Sequence, residues 1–115
     1  MLFRSRSALA GCLAHPGLVR ALAEISPDHF ALELHRRMRE ALVRPNGRDE
    51  ELARFEAELD ALAAKEGIDE RTGRELLLRL RERYLRRQIA SADLEHTKEL
   101  QVALERIHEA LGELG

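Results

Sequence analysis

Between Gly73 and Gly112 the sequence holds neither glycine nor proline. Over such a stretch every backbone N–H and C=O needs a partner, and a helix supplies those partners from within the segment itself. The apolar spacing agrees. Leu77, Leu80 and Tyr84 form one row and Leu78, Leu85 and Ile89 a second, so a helix through Leu76 to about Ala92 is apolar on two edges. Leu100, Leu104, Ile107, Leu111 and Leu114 then follow at spacings of 4, 3, 4 and 3, the pattern of a heptad seam.

Two shapes compete for this stretch. Ser91-Ala92-Asp93 carries two good capping residues, and Asp93 can cap a helix that begins at Leu94. The apolar phase nevertheless continues through Leu85, Ile89, Ala92, His96, Leu100, Ala103 and Ile107, as in a single rod. A rod of roughly 40 residues reaches ~60 Å, and a bundle of ~70 residues, with a radius of gyration near ~11 Å, cannot cover it. A break with the last helix folded back is therefore expected, because a monomer then covers part of its own seam.

Upstream, punctuation sets the elements. His15-Pro16 ends a first helix whose apolar side is Leu9, Cys12 and Leu13. A second helix runs from about Pro16 to Ile25. Ser26-Pro27-Asp28 has the order of N-cap, first helical position and acidic first turn. A helix over about Leu32 to Val43 follows, and the turn Arg44-Pro45-Asn46-Gly47 closes it. Asp49 can cap a helix over about Glu50 to Lys65, with Leu52, Phe55, Leu59 and Leu62 on one face, an acidic opposite face and Gly67 as its stop. Thr72-Gly73-Arg74-Glu75 fits a capping box opening the next helix. Apolar content dominated by Leu and Ala, with aromatics at 3%, favours helices over strands. The expected fold class is all-α.

Charge is arranged in blocks. Residues 1–48 carry a net +4, 49–70 a net −7, 71–87 a net +5 and 88–115 a net −4. The total of −2 argues against nucleic acid as the main partner. The run Arg79, Arg81, Arg83, Arg86 and Arg87 is expected to pair with the acidic block of residues 49–70 and otherwise to form a solvated face, with a protein partner or nucleic acid as the alternatives. The start, Met1-Leu2-Phe3-Arg4-Ser5-Arg6, lacks the apolar stretch of a signal peptide, and no apolar run approaches the ~18 residues of a membrane span. A cytoplasmic protein with no membrane partner is expected.

Catalytic chemistry has little to stand on. Cys12 is the only cysteine, and with His15 it makes a bare C-x-x-H without a second ligand pair. His35 reads as a buried or half-buried histidine with a hydrogen-bond partner, and His96 as a packing residue or one at a helix break. His29 falls in a turn, and His108 belongs to no metal motif. There is no glycine-rich phosphate loop, no Asp-x-Asp pair and no serine in a nucleophile motif. No catalytic residue, cofactor or metal ligand is expected, and the chain reads as non-enzymatic.

Two stretches carry a resemblance. Leu9-Ala10-Gly11-Cys12-Leu13-Ala14-His15-Pro16-Gly17-Leu18 through Ile25, then Pro27-Asp28-His29-Phe30 and Leu34-His35-Arg36-Arg37-Met38, resemble the opening helices of the C-terminal domain of bacterial DnaG-type primases. The N-terminal domain of DnaB-type replicative helicases shares that pattern. Leu80-Arg81-Glu82-Arg83-Tyr84-Leu85-Arg86-Arg87-Gln88-Ile89 and the closing Glu99-Leu100-Gln101, Leu104-Glu105, Ile107 and Leu111 resemble the primase helix leading into a two-helix hairpin. The segment between Ile89 and Glu99 is shorter than is common in that family.

The resemblance implies a helical bundle over residues 6–75, similar to the helicase N-terminal domain, followed over 76–114 by a long helix and a C-terminal helical hairpin. It implies a docking domain that binds the hexameric replicative helicase through that helicase's N-terminal domain and couples primer synthesis to the fork. The expected contacts are Leu100, Leu104, Ile107, Leu111 and Leu114 along the seam, with Tyr84 and Arg87 at the rim. Single-stranded-DNA-binding protein stays open as a second partner, with nucleic acid met only indirectly. A helical dimerisation or adaptor module, pairing its C-terminal helices in a homodimer, is the alternative; a helicase N-terminal fragment is a third reading.

Overall fold

The computed structural model describes residues 5–45 and 47–114. Asn46 of the expected turn and positions 1–4 of the expected leaderless start lie outside the described residues. Six α-helices and two short 3-10 turns make up the fold, and the described residues contain no strand. The helices are α1 (Ser5–Ala14), α2 (Val19–Ala23), α3 (Glu33–Val43), α4 (Glu50–Glu66), α5 (Glu70–Ser91) and α6 (Leu94–Leu114); the 3-10 turns are Pro16–Leu18 and Pro27–His29. The all-α expectation holds.

α1 is the centre of the bundle. Ser7, Ala8, Leu9, Ala10, Gly11 and Cys12 are six consecutive buried residues, so this helix is covered on every side. α4 and α5 pack on it most extensively, and α3 more lightly. Small side chains let this happen. A methyl group placed on Gly11 would stand 3.2 Å from the Gly73 Cα and 3.2 Å from the Ile68 Cγ2. One placed on Gly73 would stand 2.5 Å from the Leu18 Cδ1. α1 and α5 thus touch backbone to backbone.

This contact corrects the reading of residues 72–75. Gly73 lies within α5, not at its start. The N-cap is Asp69, whose carboxylate accepts from the Thr72 N–H at 2.7 Å, so α5 opens at Glu70 and its first turn enters the core. The expected domain boundary at 75/76 falls inside this uninterrupted helix. Thr72 spaced three before Glu75 has the capping-box signature, but Asp69, three before Thr72, makes the cap bond, and Gly73 then lies in the helix where it meets α1. Two other expectations are adjusted. The second helix begins as a 3-10 turn and ends at Ala23, and Ser26 makes no cap bond to the backbone. Asp49 caps α4 by accepting from the Leu52 N–H at 2.8 Å, and Gly67 ends it in the left-handed region at φ 61°, both as the sequence suggested.

Arg39 ties α3 to the end of α2. It is buried and donates to the carbonyls of Ala23 at 3.2 Å and Ile25 at 2.7 Å, groups that a helix end leaves without partners.

The chain breaks at Ala92-Asp93 and folds back, as the capping residues predicted. Asp93 accepts from the His96 N–H at 2.8 Å and opens α6 at Leu94. Among the described elements α6 packs on α5 alone, and no α6 residue is fully buried. The second apolar edge of α5 supplies the contact. Leu85 is 2% exposed, stands apart from the main core cluster and lies one turn beyond Glu82, which meets His108 of α6, so α6 is the element placed to cover it.

The close crossing generates a paired prediction. Alanine at a helical glycine gains about 1 kcal/mol of intrinsic propensity, whereas forcing extra volume into a packed core costs about 1–3 kcal/mol. Gly73→Ala meets the buried Leu18 and is expected to lower stability by about 1 kcal/mol net. Gly112→Ala, which meets nothing within 4 Å, is expected to raise it. Urea unfolding of both variants checks the signs; a stabilised Gly73→Ala would show that the two helices are not held this close.

Candidate functional site: the α5–α6 hairpin and its junction with the bundle

α5 presents three surfaces. One faces the bundle through Leu76, Leu77 and Leu80; one faces α6 through Leu85; the remainder carries exposed arginines. The expected interface residues fall in two places. Leu100, Leu104, Ile107, Leu111 and Leu114 are all half-buried along α6, where α5 covers part of the seam. Tyr84 and Arg87 sit instead beside the Pro27–His29 turn.

That second place is the junction of bundle and hairpin. The His29 ring lies 3.9 Å from the Tyr84 ring, tilted at 46°. Its Nδ1 donates to the Ser26 carbonyl at 3.0 Å, which leaves Nε2 to accept from the Arg81 guanidinium at 2.9 Å. The guanidinium groups of Arg81 and Arg87 each lie 5.9 Å from the Tyr84 ring centre. Burial and the Arg81 charge hold His29 neutral by pushing its pKa down to about 4. This histidine was legible only as a turn residue. The clue available in sequence was its place after Ser26-Pro27-Asp28, which fixes a rigid turn.

Glu82 joins the hairpin arms. Its side chain is 14% exposed and meets Arg79 at 3.2 Å, Arg86 at 3.6 Å and His108 of α6 at 2.7 Å. Burial opposes its charge, but the bonds from His108 and Arg79 outweigh that and lower its pKa. Arg79 and Arg86 are thus engaged within α5, and Arg81 and Arg87 with Tyr84 beside the Pro27–His29 turn, a correction for these four to the expected pairing with residues 49–70. That acidic block is met by the first half of the chain: Arg6 pairs with Glu58 at 2.9 Å, Arg37 with Asp49 and Glu51, and Arg48 with Glu56 at 3.1 Å. Charge blocks in sequence do not say which helices become neighbours; α4 lies against α1 and α3.

The remaining candidates have structural partners. Cys12 is buried, and burial pushes its thiol up to about 12, far from a nucleophile or metal ligand. His15 donates from Nε2 to the Ile68 carbonyl at 2.6 Å and so fastens the α4–α5 linker. His35 is buried, stacks on Phe55 at 5.3 Å and meets the Ser5 hydroxyl at 3.3 Å, as expected of a core histidine. His96 lies at the helix break beside Asp93. Among the described residues no group of three or more His, Cys, Asp or Glu side chains could hold a metal ion.

Two surface features were not anticipated. Leu94 at the hairpin tip is 81% exposed, and Val102 on the outside of α6 is 49% exposed. A groove of about 700 Å³ also opens between α2 and the end of α6 over α5, lined by Ala21, Ile25, Leu77, Leu78, Ile107 and Leu114 among others. No helix of the described residues is long and apolar enough to cross a membrane. Comparison with protein-family models, with curated proteins and with solved structures finds no match.

The junction sets a pH dependence. The unfolded chain takes a proton on this histidine near pH ~6.5, whereas the folded chain resists protonation down to about 4. Protons therefore favour the unfolded state between those values. Stability should be unaffected by His29 above pH ~6.5 and should fall as pH drops from ~6.5 to ~4, by about 2–3 kcal/mol in all. Urea unfolding at a series of pH values measures the slope, and His29→Gln should reduce it, leaving the part set by His35, whose pKa burial also lowers. An unchanged slope in that variant would remove His29 as its source.

Proposed function

We propose that this chain is a non-catalytic docking module, the helicase-binding domain of a bacterial DnaG-type primase. One observation carries the reading: a helical hairpin stands on a compact bundle through α5 alone, with apolar side chains, Leu94 and Val102, on its outside. A hairpin attached this way projects helical surface that the bundle does not use, the form needed for docking helix faces into a groove of a partner. The sequence resemblance names the partner as the N-terminal domain of the hexameric replicative helicase. The module tethers primer synthesis to the fork and meets nucleic acid only indirectly. It works in the cytoplasm, needs no cofactor, and leaves single-stranded-DNA-binding protein as a second candidate partner.

The half-buried seam gives α6 two duties. Its inner edge holds the hairpin together, so Leu100, Leu104, Ile107, Leu111 and Leu114 support the docking surface, while Leu94 and Val102 offer contact area at no cost to the fold. Truncating a buried interface anchor typically costs ~1–4 kcal/mol. Leu94→Ser combined with Val102→Ser is expected to weaken binding to the helicase N-terminal domain at least about tenfold, with helicity and unfolding midpoint unchanged. Titration calorimetry with that helicase domain measures this. Wild-type protein that ignores the helicase, in calorimetry and in co-migration on a sizing column, would reject the docking reading; binding that the double variant leaves intact would move the contact off the outer face of the hairpin.

A further inference from the structure

We infer that the hairpin can open into a continuous helix and exchange α6 with a second copy of this chain, so that the partner for the α5–α6 surface is either the chain's own helix or its twin's. α5 ends at Ser91 and α6 begins at Leu94, so only Ala92 and Asp93 separate two long helices. Neither is glycine or proline, and Ala92 is the residue type most favourable to a helix. Its φ of −84° is already helical; only its ψ of 155° is extended. At Ala92, one backbone rotation separates the bend from a helix.

The side chains are set for both forms. The apolar row Leu85, Ile89, Ala92, His96, Leu100, Ala103 and Ile107 keeps helical phase straight through the bend. In an opened chain, residues 70–114 form a rod of about 67 Å. Two such rods lie antiparallel, with a two-fold axis near Ala92, and α6 of each covers Leu85 of the other. The contact is isologous and closes at two chains, without open-ended assembly. Every α5–α6 contact of the monomer is remade between chains. Little else resists the exchange, because among the described elements α6 packs on α5 alone and buries none of its own residues fully.

What holds the monomer bent is Asp93. Its carboxylate accepts from the His96 N–H at 2.8 Å and from the His96 ring Nδ1 at 2.9 Å. In a continuous helix the His96 N–H turns to the carbonyl four residues back and the cap has no role. Removing the cap therefore destabilises the hairpin and spares the rod, and it does so twice per dimer.

The test uses the whole chain with spin labels on cysteines introduced by Arg79→Cys and Glu109→Cys; the buried Cys12 stays unlabelled. Labelled protein is unfolded, mixed with a large excess of unlabelled protein, and refolded at high concentration, so that only distances within one chain are read. The dimer fraction of the wild type is expected to show a long intrachain distance of ~45 Å, the length of ~30 helical residues, while the monomer fraction shows a short one. A lost N-cap weakens the hairpin roughly fivefold per chain, so Asp93→Ala should raise the dimerisation constant by about twenty-five-fold. Ala92→Gly, which leaves the cap and penalises the rod, should lower it. An Asp93→Ala protein that stays monomeric, or a dimer in which the intrachain distance stays short, overturns the proposal.

Discussion

The approach of α1 to α5 at Gly11 and Gly73 is the contact on which the other elements depend. At that point there is no room for a side chain on either helix, and the fully buried Leu18 fills the space beside it. Close contact brings α5 within reach of the Pro27–His29 turn, where Tyr84 and Arg81 meet His29. It also aims the far end of α5 away from the bundle, and α6 follows α5. A bulkier residue at position 73 would tilt α5 and would alter the base of the hairpin and the junction together. The architecture is a lever on a tight pivot, with small residues at the pivot and the long polar side chains of arginine at its flank.

The N-terminal ends of α4, α5 and α6 share one device. Asp49, Asp69 and Asp93 each accept from a backbone N–H three residues ahead, and that bond is the main reason each carboxylate has a lowered pKa. Each cap follows a short connection: Asp69 lies two residues beyond Gly67, and Asp93 two beyond Ser91. In chains this rich in helix formers the boundaries need marking, because propensity alone would let neighbouring helices run together. The caps supply the marks at exposed positions without using core volume.

Much of this was legible in the sequence. The Leu52, Phe55, Leu59 stripe of α4, its Asp49 cap, its Gly67 stop and the Asp93 break follow from rules that act within a few residues. What escaped was set at long range. Ala8, Ala10 and Gly11 look neutral in a periodicity search, yet α1 is buried all round because three other helices close on those small residues. Gly73 looked like the edge of a helix because a helical glycine is costly in isolation; its value lies in Gly11, 62 positions away. The arginine run was matched to the wrong acids for the same reason. Of the candidate interface, the seam was readable from spacing. The exposed Leu94 and Val102 were not, since nothing local distinguishes an outward apolar residue from an inward one until the neighbouring helix is known.

The burial of α1 also bears on how the chain is made. Synthesis runs from the N-terminus, so α1 leaves the ribosome before either of its main covers exists. Its last neighbour in the core, the stretch of α5 through Leu80, is made some seventy residues later, a delay of several seconds at ~5–20 residues per second. During that interval the helix shows apolar surface on every side and has no stable place to put it. The bundle can close only when α5 arrives, and it can do so before α6 is translated, since α6 contributes nothing to that core. Relative to its own covers the central helix is therefore made early and waits for them, and the hairpin arm is added to a body that can already have formed.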